Sequence, residues 1–351
     1  MMKPIEETHL YREIHQQPAL ILQLVSVPQE PIIALAKQIK DRGIKHVFIA
    51  ARGTSDNAGR FAKYLLGAHN RMVVSLAAPS LFTIYRQPPD LSNALVLGIS
   101  QSGKSPDIVS VLKEGQNQGA LTAAVTNYPE SDLGKAANIV LNLQAGEELS
   151  LAATKTYTSQ LTTLAILSAA LDNSDQTQED LKMLPDKIDL IFENEAAIDD
   201  LAERYRYMTH CVTIGRGFNY ASAFEFSLKL KELTYTIAEP YSSADFLHGP
   251  VALMDRGFPA FVIAPEGKMN AEMKMMVEKV QNRLAEVILI SNQPDLLKMV
   301  DHSIRLPAGI PEWLSPILAI LPAQMFAMYL AHTRGFDVDN PRGLNKVTET
   351  W

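Results

Sequence analysis

Two short stretches carry the densest set of groups able to bind an anion. Gly53-Thr54-Ser55 and Ser100-Gln101-Ser102-Gly103-Lys104-Ser105 each combine small hydroxyl side chains with a glycine. Hydroxyls and exposed backbone N–H groups at a helix N-terminus make a phosphate site, and Gly103 lets the backbone turn tightly. Taken singly, Thr54, Ser55 and Ser105 fit helix N-caps as well; their clustering favours anion binding. Neither stretch has the Gly-x4-Gly-Lys-Ser/Thr spacing, and no Gly-x-Gly-x-x-Gly follows a strand, which argues against a dinucleotide site. Three places could supply acid–base or nucleophilic chemistry. Glu225, Lys229 and Glu232 stand at i, i+4 and i+7, on one helical face bounded by Phe224, Leu228 and Leu230. A partly desolvated Glu has a raised pKa and can act as a base, although the same spacing fits a surface salt-bridge ladder. His248 precedes Gly249-Pro250 in a turn and could reach a ligand. Lys346 lies in a tail whose Pro341 and Gly343 argue against helix. Leu344, Val347 and Trp351 lead us to expect that this tail packs on the body and holds Lys346 near a pocket.

Such groups need a scaffold, and the chain spells one out. Apolar runs at His46–Ala50, Met72–Ser75, Ala94–Ser100 and Leu121–Val125 alternate with helical stretches at Thr54–Gly67 and Ser105–Gln118. A helical run from Ala153 to Leu171 follows. Alternation with strands this apolar predicts a parallel sheet covered on both faces. A polar stretch, Asp172–Asp180, is the best linker candidate. The alternation then restarts: strands at Cys211–Gly215, Ala260–Ala264 and Val287–Ser291, helices at Tyr220–Thr236 and Met269–Leu284. The restart is a repeat. Phe48–Gly53 resembles Val212–Gly217 at an offset of 164, Val96–Ile99 resembles Ala260–Ile263 at 164, and Val125–Asn127 resembles Ile290–Asn292 at 165. The chain therefore reads as two copies of one α/β domain. Ligands bind beyond the carboxyl ends of strands in open α/β sheets, where the hydroxyl loops of copy one fall. In copy two the matching positions hold Phe218, Asn219, Ala264, Pro265, Glu266 and Met269, so anion binding is expected in copy one alone.

The whole chain has 351 residues, with 32 basic and 39 acidic side chains and no basic run, a poor basis for nucleic-acid binding. Its one cysteine, Cys211, in a predicted buried strand, excludes a disulfide framework and a Cys-based zinc site. No signal peptide is visible in Met1–Glu13. The apolar stretch Trp313–Ala331 contains Pro316, Pro322 and Gln324 and reads as a buried helix rather than a membrane span. A cytoplasmic protein is expected.

Seven segments, in order, resemble the sugar isomerase (SIS) domain family in its two-domain form. They are Tyr11–Pro18, Arg52–Ser55, Ser100–Gly103, Ala152–Lys155, Leu228–Glu232, Leu247–Pro250 and Pro341–Thr348. The resemblance covers essentially the whole chain and extends to the isomerase half of glutamine–fructose-6-phosphate aminotransferase. It implies a fold of two tandem SIS domains, each a parallel sheet flanked by helices in a flavodoxin-like or Rossmann-like α/β/α sandwich. The implied division is a helical segment 1–30, SIS domain 31–172, linker or helix 173–195, SIS domain 196–335 and tail 336–351. By resemblance, Gly53, Thr54, Ser55, Ser100, Gln101, Ser102 and Ser105 would bind the sugar phosphate, with Ala152, Ala153 and Asn345 also at the substrate. Glu232 would move the proton between C1 and C2, with Lys229 near it to tune its charge. His248 would assist ring opening from a partner subunit, implying a homodimer with shared active sites. Lys346 would meet the open-chain carbonyl as an amine able to form a Schiff base. No metal or redox cofactor is required for aldose–ketose chemistry of this kind.

The sequence also departs from the aminotransferase. It begins Met1-Met2-Lys3, without an N-terminal Cys nucleophile, so a glutaminase domain and ammonia from glutamine are not expected. Lys104-Ser105 replaces an acidic residue and Thr, and Ala153 replaces Ser. The Ala152–Lys155 turn and the tail look more like stand-alone SIS-type glucosamine-6-phosphate deaminases. The expected activity is therefore conversion of glucosamine 6-phosphate to fructose 6-phosphate and ammonia. Alternatives are a related SIS enzyme (an aminotransferase-like isomerase, a fructosamine-6-phosphate deglycase or a galactosamine-6-phosphate deaminase/isomerase) and a non-catalytic sugar-phosphate sensor. A sensor would need the phosphate loops but not the Glu232, His248 and Lys346 trio.

Overall fold

A computed structural model of the chain describes residues 3–172 and 174–346. Val347 and Trp351, expected to pack the tail, and Thr348 at the end of the Pro341–Thr348 segment lie outside the described residues. The chain divides into two compact units. One holds Ala19–Glu148, Lys155–Met183 and the tail from Asn345. The other holds the N-terminal residues up to Pro18, Leu149–Thr154 and Leu184–Leu344.

The first unit is built on a sheet of β1 (His46–Ala50), β2 (Val73–Leu76), β3 (Ala94–Ile99), β4 (Leu121–Thr126) and β5 (Ile139–Asn142). Its order is β2-β1-β3-β4-β5 and every pairing is parallel. β3 and β4 are buried at every position, whereas the edge strands β2 and β5 each bury one residue in four. This is the burial that crossover helices on both faces impose. Helix Pro106–Asn117 places Ile108, Val109, Val111 and Leu112 against Ala50, Val96 and Ala124 of the sheet. Helix Gly53–Ala68 comes close to the sheet because Gly59 has no side chain: a Cβ there would lie 3.2 Å from both Ile49 and Leu76.

The second unit repeats the plan with β6 (His210–Gly215), β7 (Ile237–Ser242), β8 (Pro259–Ile263), β9 (Glu286–Ser291) and β10 (His302–Arg305). All pairings are parallel, in the order β7-β6-β8-β9-β10. Read from the first strand of each, the two sheets have one topology, 2-1-3-4-5. Both are parallel sheets flanked by helices, the three-layer architecture the repeat predicts. Cys211 is buried on β6. Helix Ser315–Thr333 is long and apolar enough to cross a membrane, but its apolar window is entirely buried inside the protein. Within the segment read as linker or helix, the chain is helical from Asp175 to Lys182. Thr177, Asp180 and Leu181 are buried on that helix, so its few inward residues suffice to fold a segment whose composition looks like a tether.

Candidate functional site

The two hydroxyl loops both sit at the carboxyl edge of the first sheet, after β1 and β3. The chain leaves β1 through Arg52 and enters helix Gly53–Ala68 at Gly53, whose φ is +52°. Arg52 is pinned by its Nε to Asp107 Oδ2 at 2.8 Å, and the Asp107 side chain is fully buried. The N-cap position belongs to Arg52, so Thr54 and Ser55 fall in the first turn rather than at the cap. Ser55 is buried, and its Oγ accepts a hydrogen bond from Gln160 Nε2 at 2.9 Å.

The loop after β3 is wound on itself. Ser100 Oγ accepts from Gly103 N–H at 3.2 Å, and Ser102 Oγ accepts from Lys104 N–H at 3.3 Å. Gly103 has φ +63°, and a Cβ on it would sit 2.0 Å from Ser131 Oγ, so no side chain fits. The loop after β4 clamps it from behind: Asn127 N–H donates to Gln101 O and Leu133 N–H to Gly103 O. Ser105 occupies the N-cap of helix Pro106–Asn117, yet its side chain makes no capping hydrogen bond. The capping explanation of these hydroxyls thus fails for Thr54, Ser55 and Ser105 alike. Ten or more residues of helix follow each loop, and their N-termini favour an anion.

The same unit contains Lys346. Its Nζ lies 2.9 Å from Glu148 Oε2. Glu148 is buried and also accepts from Thr156 N–H at 3.1 Å and from Thr156 Oγ1 at 2.8 Å. Glu148 was invisible as a functional residue in the sequence. It precedes the Ala152–Lys155 turn, and nothing in local spacing ties it to a lysine 198 positions later. Asn345 is exposed beside Lys346.

In the second unit, helix Tyr220–Thr234 carries the charged face. Lys229 and Glu225 have fully buried side chains, 3.3 Å apart between Nζ and Oε1. Lys229 Nζ is 2.5 Å from Glu232 Oε2, and Glu232 retains 21 % side-chain exposure. The surface-ladder reading is therefore excluded. Burial pulls the Lys229 pKa down, but the Glu232 and Glu225 carboxylates outweigh it and hold the ammonium above its ordinary range. The result is a locked cation beside a carboxylate with one face toward solvent. Ala152 O accepts from Ser150 Oγ at 3.0 Å, and Ser150 and Leu149 are in turn held by the buried Glu13 carboxylate. Ala153 is half-buried. His248 is exposed at the end of the short helix Ser243–Leu247, its backbone N–H bonded to Asp245 O at 3.1 Å.

The counterpart loops of the second sheet are closed by the protein's own side chains. Arg216, matching Arg52, pairs with Glu272 at 2.8 Å. Asn219 bonds Ser315 Oγ at 2.7 Å. At the loop matching Ser100–Ser105, Gly267 N–H donates to Asn270 Oδ1 at 2.6 Å and Lys268 N–H to Glu312 Oε2 at 3.0 Å. A carboxylate of the chain, Glu312, thus takes a backbone N–H there. Among the described residues, no group of His, Cys, Asp and Glu could hold a metal ion.

Comparison with known proteins bears on this arrangement. The SIS domain matches twice, at residues 42–170 and 207–334. Glutamine–fructose-6-phosphate aminotransferase [isomerizing] of Caldanaerobacter subterraneus subsp. tengcongensis is 34% identical over 97% of this chain and 58% of its own length. The Thermococcus kodakarensis protein of the same description is 33% identical over 96% of this chain and 57% of its own. The chain thus spans less than three-fifths of these relatives. Among solved structures, the C-terminal domain of glucosamine-fructose-6-phosphate aminotransferase from Francisella tularensis is 28% identical, with a TM-score of 0.86 over 95% of this chain and 98% of that one. A glucosamine-6-phosphate deaminase from Thermotoga maritima shares the fold, with a TM-score of 0.77 at 22% identity, covering 98% of this chain and all of that one. The chain belongs to the SIS domain family and carries the domain twice.

Proposed function

We propose that this double-SIS protein is an amino-sugar-phosphate deaminase/isomerase that converts glucosamine 6-phosphate and water to fructose 6-phosphate and ammonia. The observation that carries the reading is the Glu225–Lys229–Glu232 array, in which a buried ammonium pairs with a carboxylate that stays partly open to solvent. A C1/C2 proton shuttle needs such a fixed carboxylate. A sugar-phosphate sensor does not, and a buried ion pair adds little to stability that would otherwise explain it.

In this reading Gly53, Thr54, Ser55, Ser100, Gln101, Ser102 and Ser105 hold the phosphate, and Ala152, Ala153 and Asn345 line the sugar. His248, exposed in the single chain, assists ring opening in the neighbouring active site of a homodimer. Glu232 takes the C2 proton of the open-chain sugar, giving an enolamine. Return of the proton to C1 leaves an imine at C2. Water adds to that carbon and ammonia departs, leaving the ketone of fructose 6-phosphate. Lys346 meets the open-chain carbonyl, and Lys229 pairs with Glu232 and fixes its place. The two SIS domains are residues 31–172 and 196–335, between a helical segment 1–30, a connecting segment 173–195 and a tail 336–351. The protein is soluble and cytoplasmic, acts on a small phosphosugar, and engages neither nucleic acid nor membrane.

A second reading has its own support: the relatives compared above are described as aminotransferases. In that case the same residues run the isomerisation toward glucosamine 6-phosphate. The test is incubation with glucosamine 6-phosphate, following ammonia and fructose 6-phosphate together. Equimolar release of both supports the deaminase. Binding without turnover, with galactosamine 6-phosphate or a fructosamine 6-phosphate consumed instead, moves the assignment to that substrate. Formation of glucosamine 6-phosphate alone, from fructose 6-phosphate and an ammonia source, supports the second reading.

A further inference from the structure

Helix Lys155–Asp172 is a helix of unusual composition for a core. Thr156, Tyr157, Thr158, Ser159, Gln160, Thr162 and Thr163 are all at most 1 % exposed. Gln160 stands out among them because its side chain reaches one of the loop hydroxyls. Its Nε2 donates to Ser55 Oγ at 2.9 Å, while Oε1 is buried without a hydrogen-bond partner among the described residues. A buried amide oxygen left unpaired is costly, so the amide is placed there at the expense of stability.

We propose that Gln160 is a positioning residue for the anion site, fixing the Ser55 hydroxyl as a donor. A serine hydroxyl has one proton and two lone pairs. An amide N–H only donates, so Gln160 occupies a lone pair of Ser55 Oγ and the hydroxyl proton must point elsewhere. Ser55 lies in the first turn of helix Gly53–Ala68, whose leading N–H groups and dipole already favour a negative charge. A hydroxyl turned outward there adds a donor to a phosphate oxygen, and burial of Gln160 fixes it before the ligand arrives. The inference rests on the phosphosugar reading given above and adds to it a residue in the layer behind the loop.

The experiment is a double-mutant cycle read by calorimetric titration with glucosamine 6-phosphate and, separately, inorganic phosphate. Gln160→Met keeps the shape and removes the donor. Gln160→Glu keeps the shape and offers an acceptor, which would draw the Ser55 proton inward. We expect Gln160→Met to weaken binding of both probes about tenfold, the scale of one hydrogen bond to a charged group. In turnover, KM rises with kcat little changed. Gln160→Glu weakens binding further. Ser55→Ala with Gln160→Met binds no more weakly than Ser55→Ala alone, because Gln160 acts only through Ser55. Wild-type affinity in Gln160→Met and Gln160→Glu overturns the proposal, as do losses that add in the double variant. Wild-type protein that binds neither probe overturns the phosphosugar reading itself, and this inference with it.

Discussion

Replacing Lys229 with methionine isolates the buried ion array. The substitution preserves length and removes the charge that lies 3.3 Å from Glu225 Oε1 and 2.5 Å from Glu232 Oε2. Glu232 keeps access to water, but Glu225 is fully enclosed. An enclosed carboxylate without its cation costs about 3–5 kcal/mol. Glu225 can escape by taking up a proton, at a cost set by how far the pH lies above an ordinary Glu value. That cost is about 4 kcal/mol at pH 7 and about 1 kcal/mol at pH 5. The folded variant then binds a proton that the unfolded chain gives up, so its stability falls as pH rises. For units of this size, roughly 2–4 °C in Tm accompanies each kcal/mol. Thermal unfolding followed by circular dichroism should show Lys229→Met about 8–16 °C below wild type at pH 7, narrowing to about 2–4 °C at pH 5. Adding Glu225→Met removes the stranded charge and should recover most of the loss at pH 7. A deficit independent of pH, or a double variant as unstable as the single one, would refute the claim that Glu225 depends on Lys229.

Other outcomes follow from the same structure. Gly103→Ala forces a side chain onto a residue at φ +63° whose Cβ would meet Ser131 Oγ at 2.0 Å. Phosphosugar binding in that variant, measured by titration calorimetry, should fall at least about tenfold while the far-UV spectrum stays intact, because about 1–3 kcal/mol of strain is confined to the loop. His15→Gln should destabilise most in mildly acidic solution. Burial lowers the His15 pKa, but the Glu195 hydrogen bond at 3.0 Å, the Tyr11 carbonyl and the Glu195 charge overcome it and raise it above 6.5. Burial raises the Glu195 pKa, and the bonds from His15 and Tyr329 bring it below 4.5. The pair is thus fully formed between about pH 4.5 and 6.5 and is lost as pH rises through the raised His15 value. Urea titrations should show a deficit of about 1 kcal/mol at pH 5.5 that vanishes by pH 9; an equal deficit at both would contradict this assignment.

The legible parts of the fold were those whose side chains answer to one dominant force. The central strands β1, β3, β4, β6, β8 and β9 are apolar runs buried on both faces and stand within a residue of where the sequence puts them. The edge strands β5, β7 and β10 went unread because they are short or mixed: β7 contains Glu239 and Pro240, and β10 has one buried residue in four. Helix Asp175–Lys182 was hidden in the same way, since three buried residues hold a segment of otherwise polar composition. At the candidate site, helical spacing put Glu225, Lys229 and Glu232 on one face, but only packing decides that two of them are sealed from water. Glu148 and Gln160 could not be found locally, because each acts on a group far along the chain: Lys346 and Ser55.

Central to the proposed reaction is Glu232 as the group that moves the C2 proton. Turnover of glucosamine 6-phosphate in deuterium oxide, by wild type and by Glu232→Gln, measures this with ammonia counted and the fructose 6-phosphate examined by NMR. We predict equimolar ammonia, a C1 hydrogen that is protium where Glu232 carries the C2 proton across directly and deuterium where its exposed carboxyl has first exchanged with solvent, and a loss of at least about a thousandfold in kcat for Glu232→Gln with substrate binding retained. A Glu232→Gln enzyme that turns over at the wild-type rate would contradict it.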